Sequence, residues 1–350
     1  MRVRRLQGLL WAALMVILVA PGEANAASQE PATKVILSMD LAMGLATGNA
    51  NGTQASPSDY DDAWALALAG ASDDLDILGV VVTMGNNSLT AEMAVARRQV
   101  RMSGVDAPIV AGAASWLPVA GPTTYDGREL SSTCINDGVR FMAREVRKHQ
   151  DVTILATGPL TDVACLALNF PKAAAQVGRV VALVGSAPGP LLFEGKSLRD
   201  FNYSMDPRAL SVLVQYSTIP VTAVTFGASS STGIPTTVVD DLAASSSPKG
   251  RYFGQASVPY ARWWEEKIAP VKPVWDASVV WYALHPEDLV CATGGVQLGV
   301  GPPNTFSDDV YDWIGPEVSG GRPVTACSSY IDNAAIQRMN AAVLAAVGGE

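Results

Sequence analysis

Acidic side chains stand at the end of one apolar segment and at the start of another. Asp40 ends the segment VILSMD at residues 35–40, and Asp61 and Asp62 precede the Ala/Leu run in DYDDAWALALA at residues 59–69. Carboxylates that lie close together repel one another unless a positive charge is placed between them. An acid at the end of a buried strand must also be paired or desolvated, so Asp40 in particular indicates a cationic partner.

The candidate ligands favour a hard cation. Carboxylate and carbonyl oxygens suit calcium or magnesium, and a further acid, Asp276, opens a late helical segment. The two histidines, His149 and His285, stand in RKHQD and ALHPED, and neither belongs to a zinc-type spacing. We therefore expect calcium, with magnesium as the second choice. The alternative for Asp62 and Asp276 is that each only caps the N-terminus of a helix.

Short apolar segments alternate with Ala-rich helical segments along the chain. The apolar segments are KVILSMD, LDILGVVVTMG, VTILATG, RVVALVG and IPVTAVTFG. Helices are predicted from Asp62, around Ala91 to Met102, and in LTDVACLALNF. This alternation predicts parallel β-α-β units, and continuously apolar strands predict a sheet that is covered on both faces. We expect an α/β fold with a single domain, in which helices flank a mostly parallel central sheet.

Polar residues follow several of the predicted strands. Asp40, Asn86 and Thr157 come at or just after the ends of such segments. Ligands of open parallel sheets bind outside the carboxyl ends of the strands, so we expect these residues to converge on one edge. The composition of residues 44–58, which are rich in Gly, Asn, Ser and Ala, predicts a flexible insertion. Residues 228–237 predict a loop, and residues 242–250 predict a helix end followed by a turn.

The N-terminal residues have the pattern of a secretory leader. A basic start, MRVRR, is followed by the apolar run LLWAALMVILVA and by the small residues ANA. We expect residues 1–26 to be a signal peptide and residues 27–350 to form the domain. The mature protein would then be periplasmic or secreted, without a membrane span, and an uncleaved anchor is the alternative. The net charge of −9 argues against a nucleic-acid partner, which requires a basic surface.

Four cysteines in an exported chain permit two disulfides, with three complete pairings. We favour a bond between Cys291 and Cys327. Buried free thiols are the alternative, and Cys165, which lies in an Ala/Leu-rich helical segment, fits that alternative.

Taken together, these motifs resemble the calcium-dependent nucleoside hydrolases, which cleave the N-glycosidic bond of ribonucleosides. The family motif Asp-x-Asp-Pro-Gly-x-Asp-Asp-Ala is matched at Asp40, Asp61, Asp62 and Ala63. Further similar segments follow in order: VVTMGNNSL, TILATGPLTDVA, DFNYSMDPRAL and VWDASVVWYALHPE. The chain departs from the motif because Ser38 replaces its first acid, the Pro-Gly pair is absent, and an insertion splits it. Closing that loop costs only about 1–2 kcal/mol of entropy, so the site can survive the insertion.

The resemblance implies roles for individual residues. It implies that calcium is held by Asp40, Asp62, the backbone carbonyl of Thr157 and Asp276. It implies that the ribose hydroxyls are held by Asp61, Asn86, Asp200 and Asn202. Asp40 would also be the general base, and Asn202 would take part in catalysis. Asp200 stands where the family has the longer Glu, which leaves that contact open.

Aromatic rings are the candidates for binding the base, because no histidine lies near the motifs to protonate it. Trp275 precedes the last implied calcium ligand, as in the purine-preferring inosine-adenosine-guanosine branch of the family. It could stack on a purine and favour its protonated form, with Trp116 or Tyr125 as a second ring. Ordinary packing is the alternative for Trp275 and the favoured interpretation for Trp116 and Tyr125. It is also favoured for Trp263 and Trp264, for which the alternative is a place on a mobile helix near the mouth of the site.

The sequence therefore predicts a calcium-dependent purine ribonucleoside hydrolase that binds a small-molecule nucleoside and serves purine salvage outside the cytoplasm. One alternative is a hydrolase for pyrimidine nucleosides or another ribosyl compound. A second alternative is an inactive nucleoside- or sugar-binding protein of the same fold. The assembly is left open between a monomer and a homo-oligomer.

Overall fold

The computed structural model describes residues 31–47, 56–118, 134–319 and 321–349. From Ala32 onwards the chain forms one structural unit. The expected leader at residues 1–26, most of the insertion at residues 44–58, and Tyr125 lie outside the described residues.

The strands are short and recur along the chain. Their bounds are β1 Thr33–Met39, β2 Leu75–Val82, β3 Ile109–Ala111, β4 Thr153–Ala156, β5 Arg179–Leu183, β6 Leu191–Phe193, β7 Lys196–Leu198, β8 Val221–Val224, β9 Gly233–Pro235, β10 Val271–Pro273, β11 Leu289–Gly299, β12 Tyr311–Gly315 and β13 Val324–Tyr330.

Helices separate most of the strands. Their bounds are α1 Asp61–Gly70, α2 Leu89–Ser103, α3 Asp137–Lys148, α4 Thr161–Asn169, α5 Pro171–Ala174, α6 Phe201–Met205, α7 Pro207–Tyr216, α8 Phe226–Ser229, α9 Val238–Ala243, α10 Pro248–Lys267, α11 Ala277–Leu284 and α12 Asn333–Gly348. A 3₁₀ turn at Pro286–Asp288 follows α11.

Within the described residues, nine strands form the central sheet in the order β12-β11-β13-β8-β5-β4-β1-β2-β3. The neighbours from β13 to β3 are parallel, whereas β11 pairs antiparallel with both β13 and β12. This confirms the predicted α/β fold with a mostly parallel sheet. Because β1 lies between β2 and β4, the residues that follow these three strands meet at one edge.

Apolar side chains cover both faces of the sheet. Along β1, Val35, Leu37 and Met39 join one hydrophobic cluster, which includes residues of α1, α11 and α12. Ile36 joins the cluster on the other face, which includes residues of α3, α4 and α7. A strand buried on both faces has no alternation of apolar and exposed polar residues, which explains why residues 35–39 are buried in succession, Ser38 included.

The predicted helices occur close to their expected positions, but one predicted loop contains regular structure. Residues 228–237 include the end of α8 and strand β9, which pairs antiparallel with β10. The prediction of a loop was wrong there because the partner strand is distant in sequence, and strand pairing depends on that partner. Residues 242–250 contain the end of α9, a turn and the start of α10, as predicted.

Two disulfides cross-link the described residues. Cys291 in β11 bonds to Cys327 in β13, where the two residues are direct partners in the strand register, and this confirms the predicted pair. Cys134 bonds to Cys165 in α4, so the alternative of a free thiol at Cys165 is wrong. Asn136, directly before α3, donates to Asp162 in α4 at 2.7 Å, and this contact lies next to the second pair.

None of the helices in the described ranges combines the length and apolar character that are needed to cross a bilayer.

Removing the cross-link between β11 and β13 is expected to lower the stability of the protein. In a Cys291→Ala/Cys327→Ala variant, the unfolded chain regains the freedom of a loop that spans 36 residues. This should lower the free energy of unfolding by about 2–4 kcal/mol. Thermal unfolding followed by circular dichroism should show a lower midpoint. A Ser328→Ala variant, altered at an exposed position of β13, is the control, and equal midpoints for wild type and double variant would contradict the prediction.

Candidate active site

A cavity of about 470 Å³ lies at the carboxyl edge of the parallel strands. Strands β1, β2 and β4 lead into three of its wall residues, and the first turn of α1 and the start of α11 contribute others. The predicted site residues that line the cavity are Asp40, Asp61, Asp62, Asn86, Thr157, Asp200, Asn202, Trp275 and Asp276. The convergence expected from the sequence is therefore observed.

Asp62 lies at the centre of the acidic part of the cavity. Its Oδ1 accepts hydrogen bonds from the Asp40 backbone N–H at 3.3 Å and from Thr157 Oγ1 at 2.6 Å. Its Oδ2 accepts a hydrogen bond from Asn86 Nδ2 at 3.0 Å. The carboxyl groups of Asp40 and Asp276 lie close to that of Asp62, and burial raises the pKa of Asp62. The first turn of α1 is thereby joined to the residues that follow β1, β2 and β4.

Asp40 is enclosed by the backbone of two neighbouring loops. The Asn86 N–H donates to Asp40 Oδ2 at 2.8 Å. A side chain at Gly85 or Gly158 would place its Cβ 2.1 Å from Oδ2 or 2.9 Å from Oδ1, so both glycines leave room for this carboxyl group. Oδ1 is buried and accepts no hydrogen bond within the described residues. Burial and the charge of Asp62 raise the pKa of Asp40 well above its usual range.

Neither Asp62 nor Asp276 caps a helix through its side chain. Tyr60 is the N-cap residue of α1, and Asp276 occupies the N-cap position of α11 without making a side-chain cap hydrogen bond. Burial, followed by the charge of Asp61, raises the pKa of Asp276 well above its usual range. Helix capping therefore does not explain these acids, and that alternative is wrong.

The acidic part of the cavity has the donor set of a hard divalent cation. Carboxylate oxygens of Asp61, Asp62 and Asp276 lie within 4.8 Å of one another, and Asp40 contacts Asp62. In the part of the chain that the structure describes, no lysine, arginine or histidine forms an ion pair with Asp40, Asp62 or Asp276. Buried carboxylates without a cationic partner are costly, and a divalent ion would remove that cost. These residues therefore fit a metal ion.

The carbonyl oxygen of Thr157, which the resemblance implies as a ligand, lies in the same network. It accepts a hydrogen bond from Asn202 Nδ2, while the Thr157 hydroxyl donates to Asp62. A carbonyl oxygen has two lone pairs, so this hydrogen bond leaves one of them for a cation. Asn202 is thus fixed beside the expected ligands.

A lysine that the sequence analysis did not single out balances the neighbouring acids. Lys272 Nζ lies 3.1 Å from Asp59 Oδ1 and 3.2 Å from Asp61 Oδ2, and its side chain is 0% exposed. Burial and the charge of Asp61 raise the pKa of Asp59 to about 7. The available signal was the position of this lysine in the apolar segment PVKPVW, because a lysine buried there requires acidic partners.

Asp200 is held by the protein at the start of α6. Its Oδ1 accepts a hydrogen bond from the Tyr203 N–H at 2.9 Å, and its Oδ2 accepts one from the Gly185 N–H at 3.1 Å. The buried carboxyl group of Asp312 also forms a hydrogen bond with Asp200. Burial raises the pKa of Asp200 to about 6. The cavity wall thus contains a carboxyl group in a fixed orientation.

The described ends of the insertion lie close together beside the cavity. The Ser58 N–H donates to Leu45 O at 3.0 Å, and Ser58 Oγ lies 3.0 Å from Thr47 O and 3.1 Å from Asn86 O. The chain therefore returns to its point of departure, and Asp62 in the first turn of α1 contacts Asp40 directly after β1.

Aromatic rings form another part of the cavity wall. Trp275 is half-buried, its Nε1 donates to Ser230 Oγ at 3.3 Å, and Trp264 meets it edge-on at 5.3 Å. The aromatic wall residues that sequence reasoning did not assign to the site are Phe201, Phe226, Tyr260, Trp263, Trp264 and Phe306. These residues lie on elements distant in sequence, and no local pattern marks which face of each element meets the cavity.

Of the two rings proposed as partners of Trp275, only Trp116 belongs to the described residues. Trp116 is half-buried next to the buried Leu117, and it is not among the described residues that line the cavity. The role of Trp116 as a second stacking ring therefore stays a prediction, without support from the described cavity wall. Tyr125 lies outside the described residues.

Comparison with known proteins identifies related sequences. Residues 57–340 match the model of the inosine-uridine preferring nucleoside hydrolases. The pyrimidine-specific ribonucleoside hydrolase RihA of Klebsiella pneumoniae (strain 342) is 33% identical over 178 residues, which cover 46% of this chain and 55% of that protein. The chain thus spans about half the length of the curated relatives it matches.

Solved structures share the fold at lower sequence identity. The plant nucleoside hydrolase PpNRh1 superposes with a TM-score of 0.70 at 19% identity, and the match covers 91% of this chain and 100% of that one. A purine-preferring ribonucleoside hydrolase from Gardnerella vaginalis superposes with a TM-score of 0.68 at 15% identity, covering 91% and 98%. The family match extends over most of the sequence and includes Asp61, Asp62 and Asp276, so the chain belongs to the inosine-uridine preferring nucleoside hydrolase family.

Proposed function

We propose that this protein is a calcium-dependent hydrolase that cleaves the N-glycosidic bond of purine ribonucleosides. The observation that carries this proposal is the group of buried acids Asp40, Asp62 and Asp276, which has no ion-pairing side chain among the described residues and lines a cavity with polar and aromatic walls. A cavity of about 470 Å³ suits a ligand of nucleoside size. Calcium is favoured over magnesium because several carboxylates and a carbonyl oxygen lie together.

Asp40 is assigned the role of general base. Hydrolysis of a nucleoside requires an activated water molecule on one side of the anomeric carbon. When bound, calcium would lower the pKa of such a water molecule. Asp40 Oδ1 supports the assignment because it is buried and accepts no hydrogen bond within the described residues, whereas Oδ2 is held by the Asn86 N–H. The proton of the attacking water would therefore pass to Oδ1.

The ribose is assigned to the polar wall. Its hydroxyls would be bound by Asp61, Asn86, Asp200 and Asn202, which all line the cavity. Hydrogen bonds that these hydroxyls donate to the carboxylates strengthen as positive charge develops on the sugar, and together they could lower the barrier by a few kcal/mol. The orientation of Asp200 is fixed by Gly185 and Tyr203, which supports its role despite its shorter side chain.

The base is assigned to the aromatic wall around Trp275. Stacking on an indole favours the larger face of a purine over that of a pyrimidine. The ammonium group of Lys272 lies 4.1 Å from the Trp275 ring centroid and already engages the electron-rich π system of that ring. We therefore assign Trp275 the role of holding the base, and we do not assign it the role of favouring the protonated base.

Pyrimidine nucleosides are the second candidate substrates, because the relatives of higher sequence identity are pyrimidine-specific hydrolases. A reducing-sugar assay with inosine, adenosine, guanosine, uridine and cytidine distinguishes the two. Release of ribose mainly from the first three would support the purine assignment. Binding of inosine without release of ribose from any of the five would support a binding protein and contradict hydrolysis.

We also propose that the protein acts outside the cytoplasm. The two disulfides within the described residues support this, because such bonds persist in oxidising compartments.

Removing divalent cations should abolish inosine hydrolysis, and adding calcium should restore it. Burial raises the pKa of Asp40 and of Asp276, so these groups retain their protons to higher pH than usual in the cation-free protein, and calcium must displace those protons. The apparent calcium affinity in titration calorimetry should therefore fall as the pH is lowered. Full activity in the presence of a strong chelator would contradict the calcium requirement.

An Asp40→Asn variant should lose about 10³-fold in kcat at saturating calcium, because an amide cannot take the proton from water. The thermal midpoint should remain close to that of wild type. An Asp74→Asn variant, altered at an exposed acid between α1 and β2, serves as the control and should keep the wild-type rate. Turnover by Asp40→Asn at more than about one tenth of the wild-type rate would remove Asp40 from the base role.

A Trp275→Ala variant should raise KM for inosine by about tenfold, because a stacking contact of about 1–1.5 kcal/mol is lost. The KM for uridine should change less, since its base offers a smaller face. A Trp313→Ala variant on β12, whose ring is not on the cavity wall, is the matched control. Equal losses on inosine and uridine would refute stacking on Trp275 as the source of a purine preference.

A further inference from the structure

Lys272 has all its hydrogen-bond donors in use inside the protein. Its Nζ lies 3.1 Å from Asp59 Oδ1 and 3.2 Å from Asp61 Oδ2, and it donates to Pro273 O at 2.8 Å. An ammonium group has three N–H donors, so these contacts occupy all of them. The side chain is 0% exposed, and it is not among the described residues that line the cavity.

Aromatic rings surround the same ammonium group. The Trp275 centroid lies 4.1 Å from Nζ, and the centroids of Tyr60, Trp264 and Tyr260 lie at 5.2, 5.5 and 5.6 Å. A cation at such distances attracts the face of a ring. Because Trp275 lines the cavity whereas Lys272 does not, the lysine supports this ring from within the protein.

The lysine joins two parts of the site that are far apart in the sequence. It lies 211 residues from Asp61, which opens α1, and it precedes Trp275 and Asp276 at the start of α11. Its backbone is fixed in β10, where it is the register partner of Ile234 in β9. One rigid side chain therefore contacts both a residue assigned to the sugar and the ring assigned to the base.

The charges of the site are divided between two groups of acids. Lys272 pairs with Asp59 and Asp61, whereas Asp40, Asp62 and Asp276 form no ion pair within the described residues. Asp61 also lies within 4.8 Å of Asp62 and Asp276, so Lys272 holds a carboxylate that borders the candidate cation site.

We propose that Lys272 is a positioning residue that fixes the Asp61 carboxylate for the ribose and the Trp275 ring for the base. This inference rests on the proposed function and adds a residue that sets the spacing between the two ends of the substrate. The role proposed for Lys272 is therefore to place two substrate-binding residues, and not only to stabilise the fold.

The test is a Lys272→Met variant, which keeps an unbranched side chain and removes the ammonium group. The kcat/KM for inosine should fall by about 100-fold, because misplacing substrate-binding groups by about 1 Å has that effect. Calcium binding, measured by titration calorimetry, should be as tight as in wild type or tighter, because a positive charge near the acids has been removed. A Lys267→Met variant, altered at an exposed lysine at the end of α10, should keep wild-type values.

A double variant, Asp59→Asn/Lys272→Met, separates positioning from folding. It removes one of the carboxyl groups that would otherwise be buried without a partner, so it should recover thermal stability relative to Lys272→Met. The loss in kcat/KM should persist, because Asp61 and Trp275 remain unsupported. A folded double variant with wild-type kcat/KM would overturn the proposal, and so would loss of calcium binding in a folded variant.

Tryptophan fluorescence reports on the ring directly. Acrylamide should quench the emission of Lys272→Met more strongly than that of wild type, and this increase should disappear in a Trp275→Phe background. A wild-type protein that hydrolyses no nucleoside would contradict the proposed function, and the quenching result would then decide the role of Lys272 by itself. Equal quenching of Lys272→Met and wild type would overturn the proposal.

Discussion

Mutual repulsion among buried carboxylates at the carboxyl edge of the sheet is the constraint on which the rest of the site depends. Such acids keep their charge inside a protein only when cations lie at fixed positions beside them. Lys272 balances Asp59 and Asp61 at distances near 3 Å. Asp40 and Asp62 lack an ion-pairing side chain in the described part of the chain. The charge distribution therefore fits a divalent ion beside a fixed lysine.

The sheet order produces this concentration of acids. Because β1 lies between β2 and β4, Asp40 meets the loops that follow both neighbours. Gly85 and Gly158 in those loops leave the space that its carboxyl group fills. The ends of the insertion are joined through Ser58, so the first turn of α1 still lies against the strand end. A split motif is thus compatible with an intact acidic site.

The walls of the cavity show how the site can keep its shape although single residues differ from the family motif. Asp200 stands where the family motif has a longer acid, and the Gly185 N–H and the Asp312 carboxyl group hold it. Asp312 belongs to β12, in the antiparallel extension of the sheet. The aromatic wall likewise consists of rings from several elements. Trp275 is the only one of these rings that the sequence resemblance indicated.

The sequence by itself determined the features that depend on local pattern. Uninterrupted apolar segments gave the parallel sheet, and the polar residues after them, such as Asp40 and Thr157, located the site at the carboxyl edge. The tertiary structure alone decided the features that depend on pairs distant in sequence. These include the partners of Lys272, the bond between Cys134 and Cys165, and the set of aromatic rings that line the cavity. The physical reason is that periodicity encodes which residues are buried, whereas packing of separate elements sets which buried groups meet.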